Sequence, residues 1–528
     1  MSRKDTCKPK HNSVTNAELA ASPERSKDAM NFSKRLLALC KVSYTYVFRE
    51  TKHFDKKQFK VLESEATELL HKVTNSENTE LDDIIILAQI YYNICEIHIE
   101  SDAKRKQRMV AKNVQHCLTL LTNKELNCKS ILLAVNANNI LGYIYWRQEK
   151  TEEAIQIYDK AVKLYLAYMQ KKDEYGTPID LRHIVTTSCG KECGYTKLSN
   201  TYILLLRALV SLHTTTKPTD NEDLITCNHM LLTAEFNKSP EAKDHFEWIK
   251  TAMSSCNYFL VHDRFIEAKH YLNIATFVKN NFIEKNCQND PSKPRLSSKV
   301  LSIWKSTFKL LLIHWAKYGI ALLRVTAQRS QRLEKNEDLK TDYTEPQSPA
   351  ESPERASRKL LLFTEIGEKF SIPSENIPFT FNHISSYADA KEIFLFVIRL
   401  LCDENVNSCP EEDTETYVTV VTSTCNAYKY MAYYEKDKCD KILLHKRRAE
   451  LLTTAITSIP ETYENLMKYL ELQLLIVQTT MMDINIRYSK KCEAIFGTYA
   501  QGTNNEAFIE IDKMLMYGLS ILQKYIAN

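Results

Sequence analysis

Glycine is scarce in this chain, with 9 residues in 528, where an average usage of about 7% would supply roughly 37. Tight turns at positive φ, phosphate-cradling loops and hairpin-rich sheets all need glycine, so each is disfavoured. An excess of one charge is missing too: 70 basic side chains face 66 acidic ones, a formal net charge of +4. Such a balance sets up no chain-wide cationic field, and nucleic acid is not an expected partner. Long apolar runs are also lacking. The stretch "IIILAQIYYNICEIHIE" from Ile84 to Glu100 is interrupted by Gln89, Asn93 and Glu96 and falls short of about 18 continuous apolar residues, so no membrane insertion is expected. The N-terminus is polar throughout, and fifteen cysteines are scattered singly apart from Cys189 and Cys193. Reduced thiols in a cytoplasmic protein are the expectation.

Catalytic arrangements are absent as well. No H-E-x-x-H, G-x-S-x-G or G-x-x-x-x-G-K-[ST] occurs, so no enzyme activity and no cofactor are expected. Cys189 and Cys193 could form half of a zinc site, but His183 is the only nearby candidate for a third ligand and a structural zinc needs four. No metal is expected. Asp82 and Asp83 could suggest paired carboxylates for magnesium, but a helix N-terminal turn, which favours negative charge, explains them more simply.

What the chain does have is helical period. In "NILGYIYWRQEKTEEAIQIYDKAVKLY", Leu141, Tyr145, Ala154, Tyr158, Ala161 and Tyr165 fall on helical spacings in two segments, separated by a polar turn from Gln148 to Thr151. The tetratricopeptide repeat places a large apolar residue and glycine on its first helix, where the second packs close, then alanine, an aromatic and alanine on the second. Leu141, Gly142, Tyr145, Ala154, Tyr158 and Ala161 fill those places in order. Degenerate copies follow with Phe259, Ala268, Leu272 and Ala275, and with Ala390, Phe394 and Val397. The expected fold is all-α, a tetratricopeptide-like right-handed α-solenoid in which each hairpin buries its faces against its neighbours.

Two segments break the pattern. Residues 1–28 are polar and read as a disordered tail. The stretch 329–359 holds three prolines, many charges and almost no large apolar side chains, and reads as a linker between helical arrays at 29–328 and 360–528. The Ser-Pro pairs at Ser22, Ser348 and Ser352 are candidate phosphorylation sites, with a plain turn as the alternative reading. The basic run "HKRRAELL", His445 to Leu452, spreads Lys446, Arg447 and Arg448 over more than half of a helix circumference, so a solvated face is expected there in preference to a phosphate patch.

That run, followed by Pro460, Tyr463 and Met481-Met482-Asp483, resembles the KIF-binding protein family, also called kinesin-binding protein. Three further segments are similar in the same order: "LGYIYWRQEKTEEAIQIYDKAVKLYLAYMQK", "FEWIKTAMSSCNYFLVHDRFIEAKHYLNIA" and "YADAKEIFLFVIRLL". The resemblance covers roughly residues 30 to 525; the first 30 show no match, and the sequence "LMYGLSILQKYIAN" falls before the last helices expected from longer family members. It implies a monomeric scaffold that grips motor domains of kinesins, of kinesin-3 and related type, and blocks their attachment to microtubules. Roles in axonal transport and neuron development, and a cytoplasmic, cytoskeleton-associated location, are implied with it.

The family places the motor along its central hairpins, where the polar residues opposite the apolar stripe Trp248, Ala252, Cys256 and Phe259 become candidates. These are Lys250, Ser254 and Asn257, with Asn200 and Arg207 on the preceding helix. Ordinary solvent contact is the alternative for each. A co-chaperone-type scaffold that clamps a partner's C-terminal carboxylate competes, but Ile140 and Tyr143 flank Leu141-Gly142 where such a clamp needs asparagine donors.

Overall fold

The computed structural model describes residues 23–48, 56–75, 79–101, 103–182, 193–216, 221–237, 242–287, 298–336, 360–363, 384, 386–404, 406 and 409–496. Every regular element among them is a helix. Two compact units divide between Pro218 and Thr219.

The first unit is built from α1 (Pro23–Phe48), α2 (Lys56–Thr74), α3 (Leu81–Glu96), α4 (Lys104–Leu121), α5 (Ile131–Arg147), α6 (Thr151–Gln170), the single turn α7 (Lys172–Tyr175) and α8 (Gly194–Thr216). Sequential helices pack as neighbours, α3 on α4, α4 on α5 and α5 on α6, while α8 closes against α5 and α6. The connection between α5 and α6 is Gln148 to Lys150, with Glu149 in the left-handed region at φ 61°. So short a loop makes the pair an αα-hairpin. Its interior follows from residue size: Ala154 and Ala161 are completely buried, Leu141 nearly so, and Tyr145 is half-buried. Gly142 is buried under Tyr158, and a Cβ built on it would lie 2.7 Å from two ring carbons. Glycine therefore lets the aromatic ring of α6 lie on the backbone of α5. Leu36, Leu62, Leu69, Ile85, Leu87 and Ile90 centre the core of this unit. Asp82 and Asp83 lie in the first turn of α3, where negative charge suits the helix dipole.

The second unit contains α9 (Glu222–Phe236), α10 (Ala242–Val261), α11 (Phe265–Cys287), α12 (Ser298–Asn336), α13 (Tyr387–Leu401), α14 (Thr414–Met431), α15 (Lys438–Ser458), a 3-10 turn (Glu461–Tyr463) and α16 (Glu464–Phe496). Helix starts are fixed by side-chain caps. Ser386 and Asp389 form a reciprocal capping box on α13, Asp413 accepts from Thr416 N on α14, and Asp437 accepts from Cys439 N and Asp440 N on α15. Ala268, Ala275 and Ala390 are fully buried in one core with Phe259, Tyr271 and Tyr318, and a second core joins Leu452, Leu470 and Val477 of α15 and α16.

Helix α1 starts at Pro23, so the tail boundary placed at residue 28 falls inside a helix, and α12 runs on to Asn336, past the start of the 329–359 segment. Helices before and after that segment share one core, because α12 packs on both α13 and α14. Apolar length was also placed differently by the sequence. The stretch Ser298–Gln328 within α12 is long and apolar enough to cross a membrane, but 67% of its most apolar 18-residue window is buried within the protein. Its apolar character is accounted for by core packing through Leu311, Trp315, Tyr318 and Leu323. Ser22, Ser348, Ser352, His183 and Cys189 lie outside the described residues. Among the described residues, no group of three or more histidine, cysteine, aspartate or glutamate side chains converges as a metal site.

Candidate partner-binding surface

Helix α10 is amphipathic in a way its residue sizes dictate. Phe246, Trp248, Ile249, Ala252, Cys256 and Phe259 turn inward and are buried. The Trp248 indole N–H donates to the Leu232 carbonyl at 2.8 Å, which fixes α10 against α9. Phe259 meets Tyr271 edge-on with centroids 4.9 Å apart, which fixes it against α11. With the inner face held on two sides, the rotation of the helix is set. Glu247, Lys250, Ser254, Asn257 and Val261 are then presented together as an exposed line at steps of three and four residues.

Lys250 Nζ pairs with Glu247 Oε1 at 3.1 Å, and both side chains are exposed. An exposed pair of this kind adds little to stability and is easily exchanged for a partner's carboxylate. At the end of the helix Val261 is 69% exposed, and Ile266 at the start of α11 is 51% exposed. The face thus runs from charge through small polar groups to an apolar end, the mixture that protein contact surfaces use.

The other two candidates lie on α8 in the first unit. Arg207 is exposed one turn from Leu204, itself 53% exposed, whereas Asn200 is only half-buried rather than fully presented. Opposite them Leu198, Leu205, Leu206 and Leu209 are buried, and Tyr202 stacks on Tyr165 of α6 at 3.9 Å with rings 8° apart. Each unit therefore offers exposed polar side chains of its own, Arg207 in one and Lys250, Ser254 and Asn257 in the other, while Asn200 lies half-buried two turns before Arg207.

Three polar or aromatic features escaped the sequence reading. Phe363 is fully buried among His229, Trp248, His270 and Tyr271, and its amide donates to His270 Nε2 at 2.9 Å. A short piece of chain beyond the charged segment is thus anchored beneath α10. Asp180 is buried in the first unit, where it accepts from Lys197 Nζ at 2.6 Å and from Arg182 Nε at 3.2 Å. Burial alone would raise its pKa, yet these two cations outweigh it and hold the carboxyl below the ordinary aspartate range.

The third feature is a correction. His445 and Arg448 of the basic run are not on a solvated face but buried, at 6% and 3% exposure, while Arg447 beside them is exposed. The reason is register: His445, Arg448, Ala449, Leu452 and Ala455 share one side of α15, which packs on α14 and α16. That spacing is visible in the sequence once the run is read together with the alanines and leucine that follow it.

The chain is similar in sequence to several known proteins. A relative named KIF-binding protein from Drosophila melanogaster is 22% identical over 383 residues, covering 70% of this chain and 59% of the relative. One of the same name from Danio rerio is 19% identical over 415 residues, covering 77% of this chain and 64% of the relative. The chain thus spans less than two thirds of the length of these curated relatives. A solved structure described as Kinesin binding protein (KBP) aligns with a TM-score of 0.46 at 15% identity, over 97% of this chain and 82% of that one. Residues 246–527, more than half of the chain and including most of α10 with its exposed line, match the family described as KIF-1 binding protein C terminal, and the chain belongs to that family.

Proposed function

We propose that this protein binds kinesin motor domains and keeps them from attaching to microtubules. The observation that carries the reading is the family match over residues 246–527, together with the name shared by the relatives. The exposed line of α10 supplies a physical means. Lys250, Ser254 and Asn257 offer a cation, a hydroxyl and an amide at one-turn spacing, which suits a partner helix read at i, i+3 and i+7. Arg207 on α8 adds a second exposed cation, with the half-buried Asn200 near it on the same helix. A partner with an acidic and polar face is favoured, and the kinesin-3 type is the first to try.

In this proposal the protein works as a monomer in the cytoplasm near microtubules. It removes motors from their tracks and so regulates transport along axons and the development of neurons. No catalysis is involved, since occupancy of the motor's track-binding side is sufficient.

The test is co-sedimentation of kinesin-3 motor domains with microtubules in a non-hydrolysable nucleotide, with and without excess protein. Motor should move from pellet to supernatant as a soluble complex. Motor that stays in the pellet with this protein beside it would replace inhibition by an adaptor role. If this protein remains apart, kinesin-3 motors are not its partners. The charge-reversed pair Arg207→Glu and Lys250→Glu should weaken the complex at least about tenfold, the worth of one lost charge-assisted contact. Unchanged affinity would move the contact elsewhere.

A further inference from the structure

The hairpin of α14 and α15 holds a buried arginine with no carboxylate beside it among the described residues. Cys425 Sγ contacts the Arg448 carbonyl at 3.8 Å, which sets Arg448 against α14 one turn before Lys429. Side chains on a helix lean toward its N-terminus, so the guanidinium is directed toward the turn joining the two helices. His445, Lys429, Tyr430 and Tyr433 lie at that end.

Arg448 Nη1 donates to His445 Nδ1 at 2.8 Å. A guanidinium has only donors, so His445 is neutral with its proton on Nε2. Burial, reinforced by Arg448, Lys429 and Lys441, pushes the histidine pKa down to about 4. Arg448 Nε is buried with no acceptor.

Acids on this hairpin and on neighbouring helices have other partners. Glu450 takes Arg447 at 2.9 Å, Glu435 accepts from Tyr387 at 2.6 Å, Asp437 caps α15, and Asp263 takes Arg324 at 2.8 Å. Asp440 is exposed in the first turn of α15. Burial and then Arg448 lower the Lys429 pKa, so two cations share this end of the hairpin. Tyr433, 44% exposed, gives the cluster an edge on solvent.

An arginine cannot shed its charge, and an unpaired buried charge is costly. We infer that Arg448 and Lys429, with His445 orienting the guanidinium, form a binding site for a phosphoryl oxyanion beside Tyr433. The guanidinium N–H groups and the lysine ammonium supply donors of the kind that hold phosphate, while the imidazole, accepting through Nδ1, orients the guanidinium. The anion completes the charge balance that the acids among the described residues leave open.

Inorganic phosphate is the first probe, added to the full chain at constant ionic strength and followed by 31P line broadening and calorimetry. Saturable binding at one site is expected, and Arg448→Met and Lys429→Gln should each weaken it at least about tenfold. Arg487→Gln, on an exposed pair of α16, should leave it unchanged. Lys429→Gln keeps the assignment testable if Arg448→Met does not fold. Displacement of phosphate by O-phosphoserine at equal or lower concentration would name a phosphorylated side chain as the natural source; weaker displacement would name the free anion. Absence of saturable binding overturns the site, as does affinity equal to the unmodified protein in Lys429→Gln or in a folded Arg448→Met.

Discussion

Two buried charge clusters, one in each unit, are matched in opposite ways. In the first, Asp180 is enclosed and its neighbours Lys197 and Arg182 come to it, so the buried group is an anion already matched by cations. In the second, Arg448 is enclosed and its neighbours His445 and Lys429 are a neutral imidazole and another cation. A matched cluster fixes geometry from within: Asp180 ties the segment after α7 to α8. An unmatched one leaves its conformation dependent on something added. The contrast separates polar burial that serves architecture from polar burial that calls for a ligand, and it can be broken by changing one side chain at a time.

The largest effect belongs to the matched cluster. Asp180→Ala should lower stability by about 3 kcal/mol, because Lys197 and Arg182 lose the anion that offsets their desolvation. Urea unfolding would measure it, with a fall in the midpoint and little change in slope. A loss below about 0.5 kcal/mol, the scale of a surface change, would mean the cluster is solvated and the contrast unfounded.

Next in size is a pH effect that divides the units. In the second unit burial pushes His314 and His445 down to about 4, from an unfolded value near 6.5. The unfolded chain therefore takes up protons that the folded chain does not as pH falls from about 6.5 to 4, and stability drops through that window. One unit below the unfolded pKa, each group costs about 1.4 kcal/mol. In the first unit burial raises Glu96 above the ordinary glutamate range, which works in the other direction, adding stability as pH falls through its folded value. His98 and His116 there are lowered by burial and partly oppose it. Hydrogen exchange at about pH 7 and about pH 5.5, corrected for intrinsic rates, should show α12 and α15 losing more protection than α3. His314→Gln should remove part of the loss in α12. Equal losses in both units would show that these groups do not govern acid sensitivity.

Smaller again is the effect at Gly142. A Cβ there meets the buried Tyr158 ring at 2.7 Å, so Gly142→Ala sets a steric cost of about 1–3 kcal/mol against a helix-propensity gain of about 1 kcal/mol. A net loss of about 1 kcal/mol is expected, restored when Tyr158→Leu is added. If Gly142→Ala stabilises, the α5 and α6 backbones are not held together by this contact.

That position also shows what a sequence can disclose. The spacing of Gly142, Ala154, Tyr158 and Ala161 is local, and each residue has a size that only a close helix pair explains. The inner and outer lines of α10 are legible for the same reason, since Trp248, Ala252, Cys256 and Phe259 repeat at helical steps. The rest depended on distance along the chain. Phe363 reaches His270 across 93 positions, and Asp180 sits in irregular chain where no period marks burial. Arg448 lay hidden because a charged residue is presumed exposed; only its register with Ala449, Leu452 and Ala455 points inward.

The smallest change in stability belongs to the unmatched cluster, and its sign is informative. Arg448→Met keeps the apolar stem of the side chain and removes a buried cation that no acid offsets. In phosphate-free buffer stability should be unchanged or rise by about 1 kcal/mol, as happens when buried ionic groups are replaced by apolar ones of similar volume. Lys429 should also gain basicity once its neighbouring cation is gone, which 15N or 13C shifts of the lysine side chain would follow. If Arg448→Met instead costs as much as Asp180→Ala, the arginine has an internal counter-charge, and the two clusters bury charge by the same rule. If the cost appears only when phosphate is present, the difference between them is the anion itself: one cluster carries its counter-ion in the sequence, and the other takes it from solution.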